Sequence, residues 1–518
     1  VRRLTGDAHH QLHEAPMLDR TPDQRPHAVV IGAGFGGLAA AVRLSARGFR
    51  VTVVDKLDGP GGRGYVYRQD GFTFDAGPTI ITAPYIFEEL WALCGKRLAD
   101  HVTLRPINPF YEIRFDDGSV FRAYSEVEKT RAEVARFEPG DVAGFDRFMV
   151  DSGKIYKAAF EDLADVPFHE ISTLIKSAPD LVRLDGYRPV FSKVSDYFRN
   201  EKLRVAFSFH PLLIGGNPFS TTAYYCLIAH LERTYGVHYA LGGTGALARG
   251  MVDLIEDNGG TLRYEAEVSQ ILVERGTATG IKLASGEVIP ADIVVSNADP
   301  AWTYTKLLGH TKRRRWTDAK FAKAHYSMSL FVWYFGTNRQ YPDCYQHTMV
   351  LGPRYEGLLK NIFHDLKLAD DFSLYLHRPT ANDPSLAPAG CDAFYVLSPV
   401  PHLGSGVDWR ERAEPYRAAI QQRLEETVLP GLGEAIVSQH MLTPLDFRER
   451  LLSYNGAAFA MEPRLFQSAW FRPHNISEEV KNLYLVGAGT HPGAGLPGVV
   501  SSAKVVDRLV PAASSFVR

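Results

Sequence analysis

The chain has 518 residues, 45% of them hydrophobic and 22% charged, with a formal net charge of -2. That length buries a large core and calls for two or more domains, while the balanced charge points away from nucleic acid as a partner. Four scattered cysteines (Cys94, Cys226, Cys344 and Cys391) with no C-x-x-C pair exclude a disulfide framework and a cysteine zinc site and fit a cytoplasmic location.

Residues 1–25 are polar, near charge balance and without an apolar h-region, so they read as a disordered tail and not a signal peptide. Val1 suggests an alternative start codon, and Met17 offers another. The most informative stretch follows: HAVVIGAGFGGLAAAVRLSARGFRVTVVD, from His27 to Asp55. A β-branched run, Val29 to Ile31, leads into Gly32-Ala33-Gly34-Phe35-Gly36-Gly37, then an Ala/Leu-rich helical run, then a second apolar run ending at Asp55. Strand, glycine turn, helix, strand and acid form the dinucleotide-binding fingerprint in its proper context. Gly32 permits the tight turn, Gly34 lets backbone approach a pyrophosphate, and Gly37 lets helix and strand pack closely. The helix N-terminus at Phe35 and Gly36 offers free N–H groups to phosphate. Asp55 can accept hydrogen bonds from a ribose diol. The motif specifies an adenine dinucleotide and leaves open which one.

A glycine cluster, Gly59 to Gly64, comes next, then a strand and turn in Phe72-Thr-Phe-Asp-Ala-Gly-Pro-Thr79. The pattern predicts an amphipathic helix over Tyr85 to Lys96 and a hairpin over 110–124 turning at Asp116-Asp117-Gly118. Residues 140–235 read as helical with dense aromatics, among them Tyr187, Phe191, Phe207, Phe209, Tyr224 and Tyr225. Gly242-Gly243-Thr244-Gly245 opens a helix stopped by Gly259-Gly260, strands follow with a hairpin at Ser285-Gly286, and Ala291 to Ser296 reads as a buried strand. Strands such as Ser329–Phe335 then alternate with helices such as Glu411–Thr427. Asn482 to Val486 is a strand running into GAGTHPGAGLPGVVSSAK, a second glycine-rich strand-to-helix element.

Elements with cofactor-type turns thus recur at 26–82, 240–300 and 480–510. The predicted fold is α/β: a Rossmann-like nucleotide domain built from these discontinuous segments, with an inserted α+β substrate domain from 83–239 and 301–479. No apolar run approaches the ~18 residues of a membrane-spanning helix. Eighteen histidines occur, yet none has metal-ligand spacing, so no metal is expected; His9, His10 and His13 sit in the tail and read as incidental.

Gly62-Arg63 after the first βαβ unit, the helix after Gly243 and the C-terminal glycine-rich element together resemble the flavin amine oxidase superfamily. Within it, FTFDAGPT, FSFHPLLIGGNPF, GGTGAL and LYLVGAGTHPGAGLPGV resemble bacterial phytoene desaturases of carotenoid synthesis, over about residues 27–510. The resemblance implies FAD as the dinucleotide. Two departures are mild. Asp55 stands where many relatives carry Glu, and Gly489-Thr490 stand where many superfamily members have an acidic residue, leaving flavin contacts there to backbone N–H groups.

The implied reaction removes two hydrogens from a saturated carbon–carbon bond flanked by double bonds, giving neurosporene or lycopene from phytoene in successive steps. Hydride goes to the flavin and a proton leaves the neighbouring carbon of a delocalised cation, so a strong base is unnecessary. Gly487, Gly489, Gly495, Pro497 and Gly498 lead into a helix expected over Val499 to Leu509, whose N-terminus would face the flavin ring. Arg63 would neutralise the pyrophosphate with Gly62 giving backbone access. Val268 would contact adenine, and Thr79 and Asp299 are weaker cofactor candidates with turn-capping as the plain reading. His491, in the flavin motif, is the candidate acid or base, against a purely structural hydrogen bond in a tight turn. His210 reads as structural.

The resemblance also implies partners: phytoene and partly desaturated carotenoids, a membrane lipid surface bound peripherally, quinone or oxygen as electron acceptor, and a homo-oligomer on membranes. The aromatic segment 187–239 would line an apolar tunnel or form plain core. Lys312-Arg313-Arg314-Arg315 with Trp316 and Phe321 would bind anionic lipid heads, or form a solvated basic helix end. Alternatives are another carotenoid desaturase or isomerase, or a non-catalytic isoprenoid-binding protein on the same fold. The FSFHPLLIGGNPF run favours the phytoene branch, and cofactor motifs at both ends of the chain argue against the non-catalytic reading.

Overall fold

The computed structural model describes residues 24–516. The expected tail over 1–25 lies outside the described residues, apart from its last two.

A parallel sheet of five strands organises the nucleotide half, in the order Leu483–Leu485, Ile293–Ser296, His27–Ile31, Arg50–Val54, Thr261–Arg263. Its strands come from three stretches far apart in sequence. The central strand, HAVVI, is buried along its whole length, as a parallel strand covered on both faces requires. Its side chains divide by the two-residue period. Ala28 and Val30 join the core under the helices, whereas Val29 and Ile31 join the core beneath a three-stranded antiparallel sheet, Val268–Glu274, Thr277–Leu283 and Val288–Pro290. Helices Phe35–Ala46, Thr244–Asp257 and Leu496–Leu509 pack together on the first face. The alanines Ala39, Ala40 and Ala41 keep the first of these thin enough for its neighbours to approach closely.

A seven-stranded mixed sheet forms the second half, in the order Ile436–Leu442, Ser329–Thr337, Asp392–Val400, Leu374–His377, His347–Val350, Tyr111–Arg114, Val120–Ala123. Strand Ser329–Thr337 is buried throughout, and again the period separates its faces. Phe331, Trp333 and Phe335 pack on helix Trp409–Thr427, while Leu330, Val332 and Tyr334 face the other way. A helical layer including Val142–Tyr156, Glu201–Ser208 and Leu227–Tyr235 closes the far side.

Element ends shift where local chemistry decides them. The helix expected from Tyr85 runs Pro84–Leu93 and stops before Gly95, whose φ is 68°. The helix expected from Glu411 starts at Trp409 because the Asp408 side chain accepts from Arg410 N at 2.9 Å. The last helix begins at Leu496, three residues before the expected Val499, because Pro497 suits a helical first turn.

Candidate active site

The first glycine turn is held from behind. Gly32 N donates to Val54 O at 2.7 Å, closing the turn against the second strand. A Cβ on Gly37 would stand 2.0 Å from the Gly32 carbonyl oxygen, and one on Gly36 would stand 2.6 Å from Asn297 Oδ1 and 3.0 Å from Gly487 backbone. The Asn297 side chain therefore fills the space between the first and last glycine turns. The second cluster lies against the first: Gly61 N donates to Ala33 O at 2.8 Å, and a Cβ on Gly62 would meet Gly34 Cα at 3.2 Å. Of these, Gly32, Gly34, Gly61, Gly62 and Gly487 line one cavity of about 550 Å³.

Asp55 lies beside that cavity with both oxygens engaged. Oδ2 accepts from Ala33 N at 2.6 Å and Oδ1 from Leu57 N at 2.7 Å. Burial pushes its carboxyl up, and these two N–H groups with the Arg450 charge pull it down. The sequence reading aimed it at a ribose; in the structure it also locks the glycine turn, and each oxygen keeps a further lone pair. Arg63 sits deep in the protein and lines the cavity. Its Nη2 donates to Ser453 Oγ at 2.8 Å, while Nε has no partner. Burial lowers its pKa, opposed by the Asp299 charge. Asp299 itself caps a short helix, accepting from Ala301 N at 2.8 Å. Val268, at the start of its strand, also lines the cavity.

The last helix closes the opposite wall. Gly495 caps it with a φ of 90°, and Gly495, Pro497 and Gly498 line the cavity together with Gly487. Gly36, Gly37 and Gly489 of the two motifs do not line the cavity, and Gly37 takes the close-packing role expected of it. Gly36 and Gly37 pack on Asn297 and the Gly32 carbonyl, and Gly489 packs on Pro300, where a Cβ would come within 2.3 Å of Cδ. Thr79 faces the cavity, with its hydroxyl 3.1 Å from that of Tyr395.

His491 lines the cavity, but its Nε2 donates to the Leu163 carbonyl at 2.9 Å. Burial lowers its pKa to about 4. The ring is neutral and tethered, an arrangement that positions the 488–495 turn. Such a histidine takes a proton more readily when unfolded, so it contributes stability that is complete above pH ~6.5 and lost as pH falls through ~4. His491→Gln keeps a donor for Leu163. It is expected to remove about 3 kcal/mol of acid sensitivity, measured by urea unfolding at pH values from about 7 down to 4.

Beyond the glycine turns the cavity becomes an apolar chamber, walled by side chains such as Leu212, Ile228, Met328, Leu330 and Phe447. The aromatic segment splits between two roles. Phe209, Tyr224 and Tyr225 line the chamber, whereas Phe198 and Phe207 stack in the core at 4.7 Å. His210 is buried, with Nε2 3.3 Å from Glu232 Oε2, and Glu232 accepts from Tyr111 Oη at 2.5 Å.

Residues 35–506 match the flavin containing amine oxidoreductase family. The chain is 53% identical over 489 residues to a neurosporene-forming phytoene desaturase of Cereibacter sphaeroides, covering 93% of this chain and 94% of that one. It is 47% identical over 483 residues to a lycopene-forming phytoene desaturase of Pseudescherichia vulneris, covering 93% and 98%. The chain belongs to the phytoene desaturases, within the flavin-containing amine oxidoreductases. Solved structures share the fold. An oxidoreductase from Methanosarcina mazei superposes with a TM-score of 0.60 at 18% identity, covering 93% of this chain and 100% of that one. A putrescine oxidase superposes at 0.59 and 14% identity, covering 93% and 98%.

The cofactor of this family member is FAD, and the site fits it. Bare backbone at Gly32, Gly34, Gly62 and Gly487 lines the cavity, a half-buried arginine with an unpartnered Nε supplies positive charge there, and the glycine-capped end of the last helix joins the lining. Among the described residues no group of acidic, histidine or cysteine side chains could hold a metal.

Two of the four residues in the basic run expected at lipid are paired, while Lys312 and Arg314 are exposed. Arg313 donates to Asp318 at 2.9 Å, Arg315 pairs with Glu478 at 2.8 Å, and Glu479 accepts from the backbone of 314–316. Trp316 and Phe321 are buried against Tyr304. Sequence reasoning missed Asn297 as the wedge between the glycine turns, and Tyr375 and Tyr395 on the chamber wall. Asn297 had one signal, its place at the end of a buried strand in a cofactor-type segment.

Proposed function

We propose that this chain carries out FAD-dependent desaturation of phytoene in successive steps, with neurosporene or lycopene as product. The observation that carries the reading is one continuous cavity, with two glycine-rich cofactor turns at one side and an apolar chamber at the other. FAD, when bound, supplies the hydride acceptor. Gly32, Gly34, Phe35 and the Gly62-Arg63 turn would hold its pyrophosphate. Asp55 and Val268 would hold the ribose and adenine. The N-terminus of helix Leu496–Leu509 would face the ring and favour negative charge there. The chamber walls orient an apolar polyene and exclude water. Purified protein given FAD and phytoene-loaded liposomes should bleach its flavin and yield a coloured product. Three new double bonds indicate neurosporene and four lycopene, and no product with flavin bound and an acceptor present would overturn the substrate. Anaerobic runs with and without quinone separate quinone from oxygen as acceptor, and the same preparations report whether a homo-oligomer forms on liposomes.

A membrane surface supplies the substrate in this reading. Among the described residues no helix is long and apolar enough to cross a membrane. Helix Ile171–Arg183 instead leaves Ile175 and Val182 65% and 64% exposed, and nearby Phe466 is 73% exposed. This helix packs on the turn Ala469–Phe471, and Ala469 lines the cavity. The exposed side chains therefore lie beside the chamber, where a shallow amphipathic face would dock. Replacing Ile175 and Phe466 together by serine should forfeit ~3 kcal/mol of apolar burial, a roughly 100-fold drop in liposome partitioning in a flotation assay. Unchanged partitioning would move the docking face elsewhere.

A further inference from the structure

A buried polar cluster beside the chamber has no part in the scheme above. Thr79, Tyr375 and Tyr395 face the cavity. Tyr395 Oη donates to the Gly77 carbonyl at 2.9 Å, and Thr79 Oγ1 lies 3.1 Å from Tyr395 Oη and 3.5 Å from Tyr375 Oη. Tyr375 Oη lies in turn 2.6 Å from His347 Nδ1, within hydrogen-bond reach. The His377 ring stacks on that of His347 at 4.9 Å, with the two Nδ1 atoms 3.3 Å apart. Both imidazoles are wholly buried, and Nε2 of each has no partner. Sheet register assembles the group: His347 lies opposite His377, and His377 opposite Tyr395. The Gly77–Thr79 turn backs onto the cofactor wall, since a Cβ on Gly77 would stand 2.3 Å from the Arg63 carbonyl oxygen.

We propose that Tyr375, backed by His347, receives the proton released at each desaturation. The inference rests on the desaturation reading. Once hydride has gone to the flavin, the substrate is a delocalised cation. The vicinal C–H bond then breaks, its electron pair becoming the new π bond. The proton bonds to Tyr375 Oη while the existing Oη–H bond breaks and that hydrogen bonds to the lone pair of His347 Nδ1. Positive charge moves from substrate to imidazole.

The surroundings suit this role. Burial lowers the His347 pKa to about 3 and, with the His347 ring beside it, holds that of His377 well below its ordinary value, so both rest neutral. A carbocation is acidic enough that so weak a base suffices, and the resulting imidazolium returns its proton through Tyr375 to water admitted to the chamber between rounds. Burial also pushes the Tyr375 phenol well above its usual range. It therefore passes a proton through without resting as phenolate.

The test is anaerobic single turnover of the FAD-loaded protein with phytoene liposomes, following flavin bleaching and polyene absorbance. Tyr375→Phe and His347→Gln should each slow polyene formation about 100-fold while FAD affinity and Tm stay at wild-type values. Wild-type rates in a folded Tyr375→Phe protein would overturn the relay and leave the desaturase reading standing. Failure of the wild type to bleach would overturn both. A second readout needs no altered active site: ¹⁵N NMR of histidine ring nitrogens in the wild-type protein, assigned through His347→Gln. Neutral His347 with hydrogen on Nε2 and a bare, hydrogen-bonded Nδ1 over about pH 5–9 supports the relay. Hydrogen on Nδ1 would sink it.

Discussion

Gly37→Ala is expected to abolish FAD binding at micromolar flavin. The added Cβ would sit 2.0 Å from the Gly32 carbonyl oxygen, with Asn297 Cβ at 3.2 Å. Neither neighbour can give way cheaply. Gly32 is held at a φ of 95° and tied to Val54 O, and Asn297 is wedged against Gly36 and Gly487. The clash must open the turn or push the helix off the sheet, at an overpacking cost of about 3 kcal/mol or more. Spent on the cradle alone, that is at least a 100-fold loss of flavin affinity; spent on the sheet, it lowers Tm as well. Gly59→Ala is the matched control, because its Cβ would meet only Tyr65 at an ordinary 3.4 Å. Flavin fluorescence titration and thermal unfolding measure both outcomes. A Gly37→Ala protein that binds FAD like wild type would place the phosphates elsewhere.

Arg63→Met should weaken FAD binding about 1,000-fold, as expected for two charge-assisted hydrogen bonds of ~2 kcal/mol each. The guanidinium is already desolvated and has an unpartnered Nε, so the cost of taking it out of water is met before the anion arrives. Methionine keeps the apolar stem and removes charge and donors together. Arg63→Lys should recover part of the affinity, since a lysine keeps the charge and loses the planar fork. Loss of the cation also leaves buried Asp299 without its main opposing charge, which raises its pKa further. Stability of the variant should therefore improve as pH is lowered toward the Asp299 pKa, where protonation relieves the uncompensated charge. Binding within threefold of wild type would remove Arg63 from the cofactor site.

Local features of the site were legible because local steric rules create them. The turn at Gly32–Gly37, the hairpin turning near Gly118, the helix after Gly243 and the glycine-capped last helix are each specified by residues within a few positions. The FAD requirement followed from the family resemblance that motifs near both ends of the chain help to carry. Misreadings and omissions share the opposite property. Arg315 looks like part of a lipid-binding patch until Glu478, 163 residues later, is seen to pair with it, while Glu479 accepts from the backbone of 314–316. His491 makes the structural hydrogen bond to backbone that the sequence offered as its plain reading, but its partner, the Leu163 carbonyl 328 residues earlier, was not legible.

By itself, then, the sequence determined which backbone segments turn tightly enough to meet a dinucleotide, and its two-residue and helical periods determined which faces are apolar. Those are consequences of short-range sterics and of hydrophobic patterning. Only the tertiary structure decided what stands between the glycine turns, which carboxylates neutralise which arginines, and how Thr79, Tyr375, Tyr395, His347 and His377 meet on one chamber wall. Strand order and register bring those residues together across gaps of up to about 300 positions. A hydrogen bond depends on sub-ångström placement, which sequence spacing does not carry across such distances.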